Sequence, residues 1–97
     1  MIALGVPDFS VSPAAAEFGA PADLRRRIDD FNAIAQAEAA RRAFTWIDLG
    51  EISRSGIRRP DWLAEDRLHP SDAQYAAWAD LIWQVVAPDW AAAGSAA

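Results

Sequence analysis

An apolar run from Ile2 to Val6, closed by Pro7-Asp8, predicts a short β-strand at the start of the chain. Phe9 to Pro21 is broken by Ser10, Ser12, Pro13 and Gly19 and predicts a loop. From Ala22 to Arg42 the spacing changes to that of a helix. Leu24, Ile28, Phe31, Ala35 and Ala39 share one stripe with Ile34 on its flank, while Arg26, Asp29, Asp30, Gln36 and Ala40 fall on the opposite side. Pro21 suits the first turn of that helix, and Arg41-Arg42 suit the negative end of its dipole. Phe44 to Leu49 (FTWIDL) predicts a second strand, apolar on both faces. Gly50 to Leu68, with Gly56 and Pro60, predicts a long irregular connection of the kind that carries function. Ser71, with Gln74 three residues on, has the spacing of a helix-opening capping box. The helix it opens should bury Tyr75, Trp78, Ala79, Ile82 and Val86, expose Ala77, Asp80 and Gln84, and stop at Pro88.

Strand, helix and strand in this order make a right-handed βαβ crossover the default, so the fold class is α/β. Two parallel strands do not make a stable sheet, and the second strand is apolar on faces that this chain has too few elements to cover. The expectation is a partial domain over residues 1–90, followed by a disordered Ala-rich tail over residues 91–97.

The chain has 97 residues, enough for one small domain. It lacks Cys, which removes disulfides and thiolate metal sites. A net charge of −5 argues against nucleic acid and anionic membranes as partners. All nine basic residues are Arg, and the one dense run, Arg25 to Arg27, lies among Asp23, Asp29 and Asp30 and reads as a solvated helix face. Ser53-Arg54-Ser55 and Arg58-Arg59 read as exposed polar loop. No stretch is long enough to span a membrane, and the opening MIALGVPDF is not a signal peptide, so a cytoplasmic address is the default.

The chemistry concentrates in Ala64-Glu65-Asp66-Arg67-Leu68-His69-Pro70-Ser71. His69 is the only histidine. On a turn, a carboxylate three residues earlier can accept from one ring nitrogen and leave the other free to take a proton. That is the orienting role of the acid in a Ser-His-Asp triad. Asp8, Asp48 and Asp66 all fall beyond strand ends or in loops, where a metal or phosphate site is also conceivable. Trp46 and Trp78 sit at core-facing positions, whereas Trp62 lies close to the histidine block and could line an acyl pocket.

The D-x-x-H-P-S block at the start of an amphipathic helix resembles the last conserved block of the SGNH/GDSL hydrolases. The upstream order is also similar: a strand ending in VPD, a long loop, the helix LRRRIDDFNAIAQAEAARR, the strand FTWIDL, then DRLHPSDAQYAAWADLI. The resemblance covers Ile2 to about Val86. It implies a partial three-layer, flavodoxin-like α/β/α fold, with His69 as general base and acid and Asp66 orienting it. It also implies a nucleophilic Ser in a G-D-S motif and oxyanion donors from a Gly and an Asn, none of which this chain carries. Ser10, Ser12, Ser53, Ser55, Ser71 and Ser95 lack a nucleophile context, and Asn32 lies on a helix. The expectation is therefore the C-terminal part of a serine ester hydrolase, inactive alone, with no cofactor and with an ester substrate once an N-terminal part completes it. The alternative is a non-enzymatic α/β module that binds itself or a partner through an exposed sheet edge.

Overall fold

Ile2–Leu4 forms β1 and Thr45–Ile47 forms β2, each shorter than the apolar run that predicts it. The computed structural model describes the backbone of residues 1–96 and the side chains of residues 1–90. The strands pair in parallel, with Ile2 beside Thr45, Ala3 beside Trp46 and Leu4 beside Ile47. Helix α1 (Pro21–Arg41) joins them, as a parallel pair requires. Pro21 occupies its first turn, and the chain leaves it through Ala43 at φ 57°, the left-handed position that commonly follows a helix. The result is a small mixed helix and strand domain with a two-stranded parallel sheet.

Alternation along the strands sends their side chains to opposite faces. Ile47 and Leu49 form the buried core with Val86 of the last helix, and Ile2, Ile52, Trp78, Leu81 and Ile82 pack around them. On the other face Trp46 crosses Gly5, where an added Cβ would stand 2.9 Å from the indole and 3.4 Å from Asn32 Oδ1. Asn32 acts as a short stand-in for a missing strand. Its Oδ1 accepts from the Val6 N–H at 2.8 Å and its amide nitrogen donates to the Val6 carbonyl at 3.0 Å. Both backbone groups of Val6 are thereby satisfied without a third strand.

Several expectations need correction. The segment Phe9 to Pro21 is not an irregular loop but two 3₁₀ turns, Phe9–Val11 and Pro13–Phe18, the first capped by Asp8, which accepts from the Ser10 N–H. The long connection begins with a helix, α2 (Gly50–Ser55), too short to show a period. On α1, Leu24, Ile28 and Ala39 are buried, but Phe31 and Ile34 are exposed, because the two-stranded sheet is narrower than the apolar stripe laid over it. Helix α3 (Asp72–Ala96) runs through Pro88 without stopping. Proline deletes one donor there, to the carbonyl of exposed Gln84, which water can reach. The tail expected over residues 91–97 falls on residues whose side chains lie outside those described.

The start of α3 explains a further shift. Ser71 Oγ accepts from the Gln74 N–H at 3.2 Å, but the Gln74 side chain does not return to close the box. It is buried instead and donates to the Trp62 carbonyl at 2.9 Å. With Gln74 facing inward, Trp78, Ile82 and Val86 reach the core as expected, Ala77 turns partly inward, and Tyr75 and Ala79 point to solvent. Among the described residues no helix is long and apolar enough to cross a membrane.

Trp62 is the peg that holds this region. It is 2% exposed, its indole N–H donates to the Ser53 carbonyl at 2.8 Å, and the Arg59 guanidinium lies 5.2 Å from the ring centroid. Gly56 leaves room for it: a Cβ there would fall 2.6 Å from one ring carbon and 2.7 Å from another. Gly56→Ala should therefore lower unfolding stability by about 1–3 kcal/mol through overpacking, measured by urea denaturation. A variant as stable as the parent would mean that the ring is not wedged there.

Candidate active site

The turn that carries Asp66 and His69 is built almost wholly from local bonds. Leu63 and Pro70 form an isolated antiparallel bridge at its base, and the Ala64 N–H donates to the His69 carbonyl at 2.8 Å. The Arg67 N–H donates back to the Ala64 carbonyl at 2.9 Å, and Arg67 itself sits at φ 59°, in the left-handed region. That excursion folds the next two amides onto the carboxylate. Asp66 Oδ1 accepts from the Leu68 N–H at 2.9 Å and the His69 N–H at 3.0 Å. Its other oxygen, Oδ2, pairs with His69 Nδ1. The His69 ring contact is the main cause, and the two amides the lesser ones, that lower the Asp66 pKa from 3.8 to about 2.

The imidazole is thus held at Nδ1, and among the described residues Nε2 makes no hydrogen bond. The side chain is 70% exposed. It borders an open depression of about 390 Å3 whose other walls are Pro7, Phe9, Phe18, Leu68 and Pro70. The wall that carries Phe18 is tied to the turn, because the Ala14 N–H donates to the Arg67 carbonyl at 3.3 Å.

The three carboxylates considered for a metal do not converge. Asp66 serves His69, Asp48 Oδ1 accepts from the Gly50 N–H at 2.6 Å, and Asp8 is buried elsewhere. Among the described residues no group of three or more His, Asp and Glu side chains is placed to hold a metal ion. Asp8 has its own role, which local sequence did not signal. Ser10 donates to its Oδ1 through both N–H and hydroxyl. Arg54 meets Oδ2 at 3.0 Å and Arg25 meets it at 3.4 Å. Burial pushes the Asp8 carboxyl up, but Ser10, Arg54 and Arg25 outweigh it and leave the pKa lowered. Arg25 and Arg54, read from sequence as parts of a solvated face and a polar loop, are therefore structural partners of a residue far away in the chain.

Four of the serines are engaged elsewhere. Ser10 is bound to Asp8, Ser53 accepts from the Asp8 N–H and donates to the Gly50 carbonyl, Ser55 donates to the Ile52 carbonyl, and Ser71 donates to the Asp61 carbonyl. Among the described residues no serine hydroxyl bonds to His69. Asn32 has committed its amide to Val6. Trp62, expected as a pocket wall, is instead sealed beneath Gly56 with its N–H satisfied, so it has no face to offer a ligand. No protein-family profile, curated protein or solved structure matches the chain.

The Asp66 pKa gives the turn a defined acid response. A carboxyl lowered in the folded state stabilises it above the ordinary value and loses that contribution as pH falls through the folded one. Carbon-13 NMR of the Asp66 carboxyl should titrate with a midpoint near the folded value of about 2, and the His69 amide should shift together with it between pH 3.8 and about 2. In His69→Ala the midpoint should move up toward 3.8, since the largest cause is removed. An unchanged midpoint in that variant would show the pair to be unformed in solution.

Proposed function

We propose that this chain is the C-terminal part of an SGNH/GDSL-type serine ester hydrolase and supplies its general base, His69, and its orienting carboxylate, Asp66. The observation that carries this reading is the Nδ1-to-carboxylate pair with Nε2 left unbonded beside an open depression. In that arrangement Nε2 accepts the proton of an attacking hydroxyl as the hydroxyl oxygen bonds to the ester carbon. It then returns that proton to the departing alcohol oxygen as the old C–O bond breaks. Asp66 does not take the proton. It fixes the tautomer and offsets the positive charge on the ring while the tetrahedral adduct exists. The hydroxyl and the oxyanion donors belong to the rest of the domain in this reading.

The fold of that domain is a three-layer α/β/α sandwich, of which the sheet here is one part. Support comes from the sheet's two faces. Ile47 and Leu49 pack against α3, and Trp46 and Gly5 lie against Asn32 of α1. Further strands alongside the pair would also cover Leu4, Phe31 and Ile34, which are exposed.

Hydrolysis of p-nitrophenyl acetate tests the reading. The 97-residue chain should show no turnover above buffer. A version extended upstream in the same reading frame should be active, and His69→Ala in that version should lose at least about 10³-fold in kcat. Activity in the extended version that survives His69→Ala would overturn the assignment of the base.

A second reading rests on the sheet edges. Among the described residues no strand pairs outside β1 or β2, and Met1, just before β1, and Leu4, at its end, are exposed. Such an edge can add a strand from a copy or a partner. Light scattering at rising concentration should then give a mass of twice the chain, and Leu4→Lys should restore the monomer. A monomer throughout would remove self-association.

A further inference from the structure

A polar crevice of about 200 Å3 opens at the carboxyl ends of the two strands, the side on which α/β sheets bind their ligands. Asp8 follows β1 and Asp48 follows β2, and the first half of α1 faces them with Arg25 and Asp29. Trp46 and Ala33 add apolar surface. None of the residues lining it belongs to the turn that carries Asp66 and His69. It is smaller than the roughly 300–1,000 Å3 typical of pockets for drug-sized molecules, so a ligand there has few heavy atoms.

The charged groups of the crevice are fixed and only partly used. Buried Asp8 draws two guanidiniums to one oxygen, with Arg54 Nη1 at 3.0 Å and Arg25 Nη1 at 3.4 Å from Oδ2. Arg25 Nε turns to Asp29 Oδ2 at 3.0 Å. Among the described residues the Nη2 groups of both arginines make no hydrogen bond, so each keeps donors for a ligand oxygen. Asp48 is likewise half engaged. Its Oδ1 accepts from the Gly50 N–H at 2.6 Å, and its Oδ2 has no partner among the described residues. Gly50 keeps the space between these groups clear: a Cβ built there would stand 3.0 Å from Asp48 Oδ1 and 3.3 Å from Arg54 Nη1. Gly50 does not have a positive φ, so its backbone does not call for glycine, and what the missing side chain provides is room.

This mixture of charges selects among small ligands. A simple anion would satisfy the guanidiniums and meet the Asp48 carboxylate with nothing to offset it. A simple ammonium ion would satisfy Asp48 and meet the guanidiniums. A molecule that carries both charges a few bonds apart can satisfy both sets at once, through charge-assisted hydrogen bonds. We infer that the crevice binds a free α-amino acid with a small side chain. Its carboxylate lies on Arg25 and Arg54, its ammonium on Asp48, and its side chain toward Trp46 and Ala33. Asp8 is the positioning residue that aims both guanidiniums. The inference does not rest on the hydrolase reading.

The test is a titration of the nitrogen-15-labelled 97-residue chain at neutral pH with alanine, propionate and ethylamine. Propionate is alanine without its ammonium group, and ethylamine is alanine without its carboxylate. Alanine should give saturable amide shifts at Trp46, Asp48, Gly50 and Arg54. Propionate and ethylamine should each bind at least about tenfold more weakly, the worth of one lost hydrogen bond to a charged group. Tryptophan, too large for the crevice, should also bind at least about tenfold more weakly than alanine. Asp48→Asn keeps an acceptor for the Gly50 N–H and removes the charge, so it should bind alanine no better than propionate. Gly50→Ala should weaken alanine by filling the gap. Unaltered amide shifts in the Asp66 to His69 turn would verify that both variants are folded. Propionate as tight as alanine would overturn the proposal in favour of a simple anion, and ethylamine as tight as alanine in favour of a simple cation. Tryptophan as tight as alanine, a preference for alanine that survives Asp48→Asn, or no saturable response to alanine would overturn it outright.

Discussion

One buried carboxylate ties together the parts of this protein that the sheet alone could not. Asp8 follows β1 and gathers Ser10 from the first 3₁₀ turn, Arg25 from α1 and Arg54 from α2, while its own N–H donates to Ser53. Two parallel strands of three residues each supply too few bonds to fix three helices and two turns. Asp8 makes up the difference by setting the angle at which the chain leaves the sheet. A charge in that position is tolerable because two guanidiniums and a hydroxyl replace the water it has lost. Removing any one of those partners leaves the others poorly matched, so the cluster behaves as a unit more than as separate pairs.

What could be read from the sequence was whatever depends on near neighbours. The βαβ order, the bounds of α1 to within a residue, the Ser71 cap and the meeting of Asp66 with His69 all rest on spacings of four residues or fewer. What could not be read depends on distant partners. Nothing near Arg54 announces Asp8, 46 positions away. Nothing near Trp62 announces that Gly56 will be opened to receive its ring, or that Gln74 will bond its carbonyl. Phe31 and Ile34 carry the pattern of buried residues correctly, and they are exposed because the sheet ends before it reaches them. That mismatch lies between pattern and partner, and not within the pattern.

The exposed apolar residues fall into groups with separate implications. Leu4, Phe31 and Ile34 are exposed at or beside the narrow two-stranded sheet, and the proposed partial-domain reading would cover them with further strands. Phe18 borders instead the open depression beside His69. Trp83 and Trp90, both exposed, lean edge-to-face on one another at 6.2 Å along α3 and have no such neighbourly account.

On the proposed hydrolase reading, the division of labour within a catalytic triad would give these observations a common cause. An acid and a base three residues apart can be held by one turn, here supported by an amide pair on Asp66, a left-handed Arg67, a two-residue bridge and backbone bonds around Ala64 and Arg67. A nucleophile and an oxyanion hole cannot be made that way, because they must face the base across a cleft and so must come from another part of the sheet. A C-terminal portion of such a domain would therefore keep its acid and base correctly paired while having nothing for them to act upon. The pair at Asp66 and His69 has that character: its hydrogen bonds close within the turn and the His69 side chain is 70% exposed.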